Sequence, residues 1–458
     1  LVLGSRAGAL VPAESFLVGF QDVPIIRHTI LSTKEKRMIR ISRILNRDLA
    51  IEVPPSKAHT LRSLILAALA DGTSVVRNPL LGEDQLHLLE CLSRLGVAIT
   101  RREGEIGIVG TGGRFKPVAD TLDCGESGVA MNFLSALACL ASRPVVLTGK
   151  EGLLKRPVDE IVSGIRQLGG SVEYLDNEGL PPLRANSSGL SGGVARMKGA
   201  KTSQYFSSLS IAAACAKADV TIECVDEMSE KPYLDITLAM MRRFGVEATN
   251  DGYRTIAVKS GQRYHAADVT VEGDYSSASY FIEAAAVTGA TVFLKGLERE
   301  SAQGDRRIVD YARTMGCAVE FREGGLTVSG GPLRPIDESF FDTPDLVPTV
   351  AVMAAFAAGT SRIRDVAHLR FKECDRIAAV IEGLSRMGIT AFVEGNDLVV
   401  QGDPTGAHGG AISSWNDHRI AMCFAVAGLV LDGQTIDDGA CVKKSFPNFW
   451  ETFAAFGR

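Results

Sequence analysis

The chain predicts an α/β protein of two halves built from six repeated units, and two markers running in phase along it carry that prediction. The first is a helix ending in an apolar residue and glycine, with a strand after it: Leu95-Gly96, Leu168-Gly169, Phe244-Gly245, Met315-Gly316, Met387-Gly388 and Phe456-Gly457, the glycines 69 to 76 residues apart. Glycine just past a helix end is the usual left-handed cap, so one instance carries little, but six at nearly constant spacing are a repeat. The second marker is a set of Ala-rich helices that run straight into β-branched strands: SLILAALADGTSVV, NFLSALACLASRPVVL, SSLSIAAACAKADVTI, YFIEAAAVTGATVFL, VAVMAAFAAGTSRI and CFAVAGLVLDGQTI.

In order, one unit reads as an apolar helix, a strand, an amphipathic helix, the glycine stop and a strand pair such as AVEFREGGLTVSG. The first helix of each unit is too apolar to face solvent and is expected to be buried against sheets. The second is expected to carry one apolar stripe. In FKECDRIAAVIEGLSRMG, residues 371–388, that stripe is Ile377, Val380, Ile381, Leu384 and Met387, and Lys372 and Arg376 fall in the predicted first turn. The sixth unit ends at Phe456-Gly457 with no strands left to follow. RISRILNRDLAIEVP, residues 40–54, has the missing strand character, so the two ends are expected to pair and close the structure. Residues 1–39 form an N-terminal extension of unknown role; Arg6 and Glu14 stand where a secretory core should be uncharged, a poor fit to a signal peptide.

Bulk composition excludes several function classes. A length of 458 residues exceeds one ordinary core, and 46% apolar with 22% charged residues is ordinary for a globular chain. A net charge of −5 with mixed signs and no basic run argues against nucleic acid or an anionic membrane as partner. Nine cysteines without a C-x-x-C or close pair argue against structural zinc and a disulfide framework, and place the chain in a reducing cytoplasm. No apolar run reaches the length of a membrane span. A phosphate-binding G-x-x-x-x-G-K-[ST] loop and a G-x-G-x-x-G between strand and helix are both missing, so nucleotide hydrolysis and hydride transfer lack their usual equipment.

The chemistry-bearing residues open the apolar helices: Lys57-Ala58-His59, Glu126-Ser127-Gly128, Thr202-Ser203-Gln204, Asp274-Tyr275-Ser276, Asp345 and Asn416-Asp417-His418-Arg419. If the units are related by rotation, these helix starts converge, and helix N-termini attract anions. Capping alone accounts for Ser127, Thr202, Ser203 and Asp345. It does not account for Lys57, Arg156, Arg376 and Arg419, cations set at helix starts against the dipole. Salt bridges to Glu373 or Asp417 are expected to explain one or two of them, not four together with Lys444. With Asp345, Glu373 and His418 nearby, such a cleft has the makings of an anion clamp with acid and base groups.

From about residue 40 onward the chain resembles the enolpyruvyl transferase family, on its EPSP synthase side. The resemblance rests on PPSKAHTLRSLILAALADG, DCGESGVAMNFL, LKRPVDEIVSGIRQLGG, TSQYFSSL, EKPYLDITLAMM, EGDYSSASYF, TPDLVPTVAVMAAFAAGT, RFKECDRI, WNDHRIAM and VKKSFPNFW, in family order. It implies a two-domain inside-out α/β barrel of six βαβαββ repeats, with residues 40–55 plus 275–458 as one domain and 56–274 as the other, closing over a cleft. It also implies that Lys57, Gly128, Arg156, Gln204, Arg376, Arg419 and Lys444 bind phosphoenolpyruvate. Asp345 is then the base near the acceptor hydroxyl, Glu373 and Lys57 the proton relay, and His418 a supporting group. Arg62, Thr202, Ser203, Tyr233, Asp345, His368 and Lys372 are expected to hold the acceptor. No metal or organic cofactor is implied, and a monomer acting on small molecules is expected.

The acceptor side departs from the family pattern. Ala58 stands where serine is expected, Glu230 where a serine meets the substrate phosphate, His368 where asparagine precedes R-x-K-E, and the first-half loop runs Glu126-Ser127-Gly128-Val129-Ala130-Met131-Asn132. An intact donor side beside an altered acceptor side leaves two acceptors open: 3-phosphoshikimate, which is favoured, or another alcohol such as a nucleoside monophosphate hydroxyl. A cell-wall type acting on UDP-N-acetylglucosamine fits the EKPY, RFKE and NDHR motifs less well. A non-catalytic scaffold gives no reason for the dispersed cations and carboxylates.

Overall fold

The structure, a computed structural model, describes residues 38–44 and 46–457; the readings made for residues 1–37 lie outside them. Twelve helices follow the repeat. Those opening the units are α1 (Lys57–Leu69), α3 (Gly128–Leu137), α5 (Gln204–Ala213), α7 (Tyr275–Thr288), α9 (Val347–Ala355) and α11 (His418–Ala427). The amphipathic ones are α2 (Glu83–Arg94), α4 (Asp159–Gln167), α6 (Lys231–Arg243), α8 (Ile308–Thr314), α10 (Arg376–Arg386) and α12 (Phe449–Phe453).

Five of the six marker glycines take the left-handed conformation that a residue with a Cβ resists, from φ +79° at Gly388 to +108° at Gly316. Gly457 instead belongs to the 3-10 turn Ala454–Gly457. In α10 the stripe residues Ile377, Val380, Leu384 and Met387 are buried and Ile381 is half-buried. Its start needs correction: Asp375 is the N-cap, its Oδ1 accepting from the Ala378 N–H at 3.1 Å, so the helix begins at Arg376. Lys372 lies outside it, following the 3-10 turn Ala367–Phe371. An aspartate that can cap ends the extended chain four residues later than periodicity alone indicates.

Each unit contributes one small sheet in a fixed pattern. Thr121–Asp123 runs parallel to Val145–Thr148, which pairs antiparallel with Leu183–Asn186, itself antiparallel to Ser171–Tyr174. Across the first half the pattern closes on itself: Val269–Thr270, after the third unit, lies parallel to Thr73–Arg77 of the first, with Val269 opposite Val76. The expectation that residues 40–54 complete the sixth unit holds for one end of that stretch. Ile39–Arg40 pairs antiparallel with Thr435–Ile436, whereas Asp48–Glu52 pairs parallel with Thr291–Lys295 of the fourth unit. One segment therefore ties together the two ends of the second half.

The buried helices pack mainly on each other. Helices α7, α9 and α11 touch pairwise, and α3 packs on α5, while the sheets cover them from outside. This inside-out order differs from burial against sheets alone, and it explains why these helices are apolar on every side. Buried apolar residues fall into two clusters, one spanning Leu61 to Val271 and the other joining Ile41–Val53 to Tyr275–Phe456. The chain passes between them twice, side by side. The Ser56 N–H donates to Glu272 O at 2.8 Å, the Asp274 N–H to Pro54 O at 2.8 Å, and the Lys57 N–H to Asp274 Oδ2 at 2.8 Å.

Candidate active site

All six units deliver residues at or just before the start of their buried helix to one cavity: Lys57, Gly128, Thr202 with Gln204, Ser276, Asp345 and His418 with Arg419. Partial positive charge at the helix ends then adds to that of the side chains.

Of the residues that capping was expected to explain, Ser127 does cap, its Oγ accepting from the Ala130 N–H at 3.3 Å. Thr202 Oγ1 accepts from the Gln204 N–H at 3.3 Å and also donates to Glu230. Ser203 donates its hydroxyl to Glu230 O at 2.9 Å, and Asp345 is taken up by arginines.

Arg376, 1% exposed, holds three carboxylates: Asp417 Oδ2 on Nε at 2.8 Å, Asp345 Oδ1 at 2.7 Å and Glu373 Oε2 at 2.6 Å. Arg419 reaches the other oxygen of Asp345 at 2.7 Å and Tyr280 Oη at 3.2 Å. Lys444 bridges Glu373 Oε1 at 3.0 Å and Glu126 O at 3.2 Å, and Lys57 meets Asp84 Oδ2 at 2.7 Å. The expectation that salt bridges explain only one or two of these cations is thus corrected: four of the five are paired. Their partners are Glu373 and Asp417, which the sequence offered, together with Asp345 and Asp84, which come from distant segments and which spacing alone could not pair with them. Arg156 is the exception, with no carboxylate of the described residues within 4.0 Å and its buried Nε without a partner. It precedes α4 by three residues rather than starting it, because α4 opens at Asp159 after Pro157 and Val158.

The electrostatics separate the groups by role. Burial pushes Asp345 up, but Arg419 and Arg376 outweigh it and hold its carboxyl below the ordinary value. Glu373 is likewise buried, yet Lys444, Arg376 and Arg156 hold it well below. Burial, then Arg419 and Lys57, keep His418 neutral, and neither of its ring nitrogens has a hydrogen-bond partner, although Nδ1 lies 3.7 Å from Asp417 Oδ1. Burial and then the Arg376 charge push the Lys372 ammonium down, against the Glu230 carboxylate that it contacts.

On the opposite wall, Glu230 is 2% exposed; it accepts from Thr202 Oγ1 at 2.7 Å and pairs with the Lys372 ammonium. Tyr233 Oη donates to Asp345 Oδ2 at 3.0 Å. Arg62 spends its donors on Thr237 Oγ1 at 2.7 Å, Tyr233 O at 2.9 Å and Ala58 O at 3.2 Å. Asn132 donates to Gln204 Oε1 at 2.8 Å. Ser203, Lys444 and His368 stand one layer behind the cavity wall. His368 packs edge-on against Phe341, and burial lowers its imidazole to about 4.

Two carboxylates escaped the sequence reading. Asp84 neutralises Lys57 from the start of α2. Asp305, in the 3-10 turn Gly304–Arg307, lines the cavity with Oδ1 unpartnered and Oδ2 accepting from the Ser276 hydroxyl. Burial and the nearby Asp345 charge raise Asp305 to about 7. The QGD step before α8 offered no periodic or capping signal by which to find it. Among the described residues no cluster of His, Cys, Asp and Glu could hold a metal ion, and no helix is long and apolar enough to cross a membrane.

Comparison with known proteins adds a second line. The sequence profile of EPSP synthase (3-phosphoshikimate 1-carboxyvinyltransferase) matches residues 45–453. The 3-phosphoshikimate 1-carboxyvinyltransferase of Methanoculleus marisnigri is 40% identical over 422 residues, 92% of this chain and 99% of that protein. Its counterparts from Syntrophobacter fumaroxidans, 40% identical over 88% of this chain and 96% of theirs, and Salmonella schwarzengrund, 39% over 89% and 96%, are similar too. Among solved structures, EPSP synthase from Acinetobacter baumannii superposes with a TM-score of 0.78 at 29% identity, over 92% of this chain and 98% of that one.

Proposed function

The chain belongs to the EPSP synthase family, and from that premise we propose that it transfers the enolpyruvyl group of phosphoenolpyruvate to a hydroxyl of 3-phosphoshikimate with release of phosphate. The observation that carries the reading is a single cavity lined by Lys57, Arg156, Arg376 and Arg419, with ionised Asp345 and Glu373 among them and Lys444 behind Glu373.

The reaction is an addition followed by an elimination. A proton is added to the methylene carbon of phosphoenolpyruvate, the acceptor oxygen attacks C2, and the tetrahedral intermediate loses the methyl proton and phosphate. Asp345, held ionised by Arg376 and Arg419, suits the removal of the acceptor's hydroxyl proton. Glu373 and Lys57 relay the proton at the methylene carbon. Glu373 is ionised because three cations face it. When the donor brings its own carboxylate and phosphate to those cations, their hold on Glu373 weakens and its proton affinity rises, as an acid requires. Arg156, with no carboxylate of the described residues within 4.0 Å, is available to the donor without an exchange of ion-pair partners. The cationic ring then stabilises phosphate as it gains charge, a preorganised contribution of several kcal/mol.

Gly128, Gln204 and Lys444 complete the donor site in this reading, with Arg62, Thr202, Ser203, Tyr233, His368 and Lys372 on the acceptor side and His418 as a neutral neighbour. Residues 40–55 plus 275–458 and residues 56–274 act as two domains that close on the substrates. The protein works as a cytoplasmic monomer. Purified protein with phosphoenolpyruvate should release phosphate with 3-phosphoshikimate and not with a panel of nucleoside monophosphates; the reverse outcome would move the acceptor, not the chemistry. Small-angle scattering should show compaction with both substrates present.

A further inference from the structure

The corner formed by Thr202, Glu230 and Lys372 is the part of the cavity the mechanism leaves unexplained. Glu230 is buried and lines the cavity, and its two carboxylate oxygens are both engaged there, one by the Thr202 hydroxyl at 2.7 Å and one by the Lys372 ammonium. Its backbone is left-handed, at φ +58° and ψ +34°, a conformation that a residue with a Cβ resists. Fixed neighbours hold it in that state: Ser203 Oγ donates to Glu230 O at 2.9 Å, the Glu230 N–H to Phe341 O at 3.3 Å, and the following Lys231 N–H to Asp342 Oδ1 at 3.1 Å. A strained residue pinned on both sides, with its charged end on a cavity wall, is an arrangement that packing alone does not require.

We propose that Glu230 sets the charge an acceptor can present at this corner and is a specificity-determining residue of the site. The argument rests on the reading of the cavity as an acceptor site. The two donors that would receive an anionic group, the Thr202 hydroxyl and the Lys372 ammonium, already serve a carboxylate of the protein. A phosphate arriving there must displace that carboxylate by side-chain rotation, since the backbone is fixed, and afterwards two like charges share one poorly solvated corner. A hydroxyl meets no such opposition, because it can donate to the Glu230 carboxylate where it stands. The cavity therefore discriminates less strongly in favour of a phosphorylated acceptor than its cation count implies, and neutralising Glu230 sharpens the discrimination.

The test is calorimetric binding of 3-phosphoshikimate and of unphosphorylated shikimate to the wild type, Glu230→Gln and Glu230→Asn, with phosphate-release kinetics on the same proteins. Gln keeps the shape and the bond to Thr202, and Asn tolerates the left-handed backbone. The expected result is a ratio of Kd for shikimate over Kd for 3-phosphoshikimate that rises at least tenfold in both variants, with KM for phosphoenolpyruvate within threefold of wild type. A ratio that is unchanged or falls in either folded variant overturns the proposal. Wild-type protein that binds both ligands but releases no phosphate overturns the enolpyruvyl transfer reading instead, and the binding ratio still decides the role of Glu230. If neither ligand binds any of the three proteins, the assignment of this corner to an acceptor falls with that reading.

Discussion

Arg376 and Glu283 are buried alike, at 1% and 0% exposure, and the fold treats them in opposite ways. Arg376 opens α10 on the cavity wall, where carboxylates from three separate segments converge on its guanidinium, and it stays charged. Glu283 sits within α7 in the helix cluster; neither of its carboxylate oxygens has a partner, and burial raises its carboxyl well above the ordinary value, so it stays neutral. Burial by itself therefore says little about function. Partners drawn from several segments mark the place where the fold concentrates charge for use, and their absence marks a group that the core merely accommodates.

Removing Arg376 should give the largest effect. Arg376→Ala leaves Asp345, Glu373 and Asp417 without their shared cation, and losing one member of a buried ion pair costs about 3–5 kcal/mol. Urea unfolding at pH 7 should show that drop, with phosphate release abolished. Arg376→Lys restores one charge but not the three-sided fork, so it should recover part of the stability and little of the activity. Wild-type unfolding of Arg376→Ala would dissolve the contrast with Glu283.

Asp345→Asn is expected to be next, with kcat lower by about 10²–10⁴-fold if Asp345 takes the acceptor proton. It also tests linkage. The folded pKa of Asp345 lies below its ordinary 3.8, so its contribution to stability is present above 3.8 and is lost as pH falls through the lower, folded value. The Asn variant should lack that acid-side loss in pH-dependent unfolding.

The contrast also separates what the sequence made legible. The six units, their helix classes and their glycine stops are local signals repeated six times, and repetition made them readable. The convergence of helix starts on one cavity followed from the repeat alone. Matching motif by motif named the cavity residues Lys57, Arg376 and Arg419, and Glu373 and Asp417 stood out beside them as expected ion-pair partners, but Asp84 did not, because it reaches Lys57 only through tertiary packing. Asp305 and Glu283 were invisible for a related reason. The first lies in an irregular turn, and the second reads as one polar residue in an apolar helix, whose burial depends on neighbours in other units. Lys372 was set in a helix because periodicity cannot tell a helical turn from the extended residues before an N-cap, and Arg156 was set at a helix start that the structure opens three residues later, at Asp159.

Asp305 tests the middle ground, a buried carboxyl that faces the cavity and is only half satisfied. Its folded value of about 7 exceeds the ordinary 3.8, so the folded protein binds this proton more tightly than the unfolded chain. Its contribution to stability is full below 3.8 and is lost as pH rises through about 7. Asp305→Asn should remove that slope between the two values. If Asp305 exchanges protons with the acceptor region, the variant should also lose an inflection near pH 7 in kcat/KM. A pH–rate profile that superposes on wild type would confine Asp305 to a structural role.

Glu283 should give the smallest effect, and one of opposite sign to Arg376. A buried polar group left without a hydrogen-bond partner costs about 1–3 kcal/mol, so replacing Glu283 by Met, which fills similar space without a polar end, should raise the unfolding free energy by about that amount at pH 7. The sign with pH follows from the raised pKa. The folded state holds the proton that the unfolded chain releases above 4.5, so the cost of keeping Glu283 grows as pH rises from there. The gain of Glu283→Met over wild type should accordingly shrink as pH is lowered toward 4.5. Should Glu283→Met lose stability at every pH, the carboxyl would have to be serving a partner after all, and the distinction between charge gathered for use and charge merely tolerated would no longer separate these two residues.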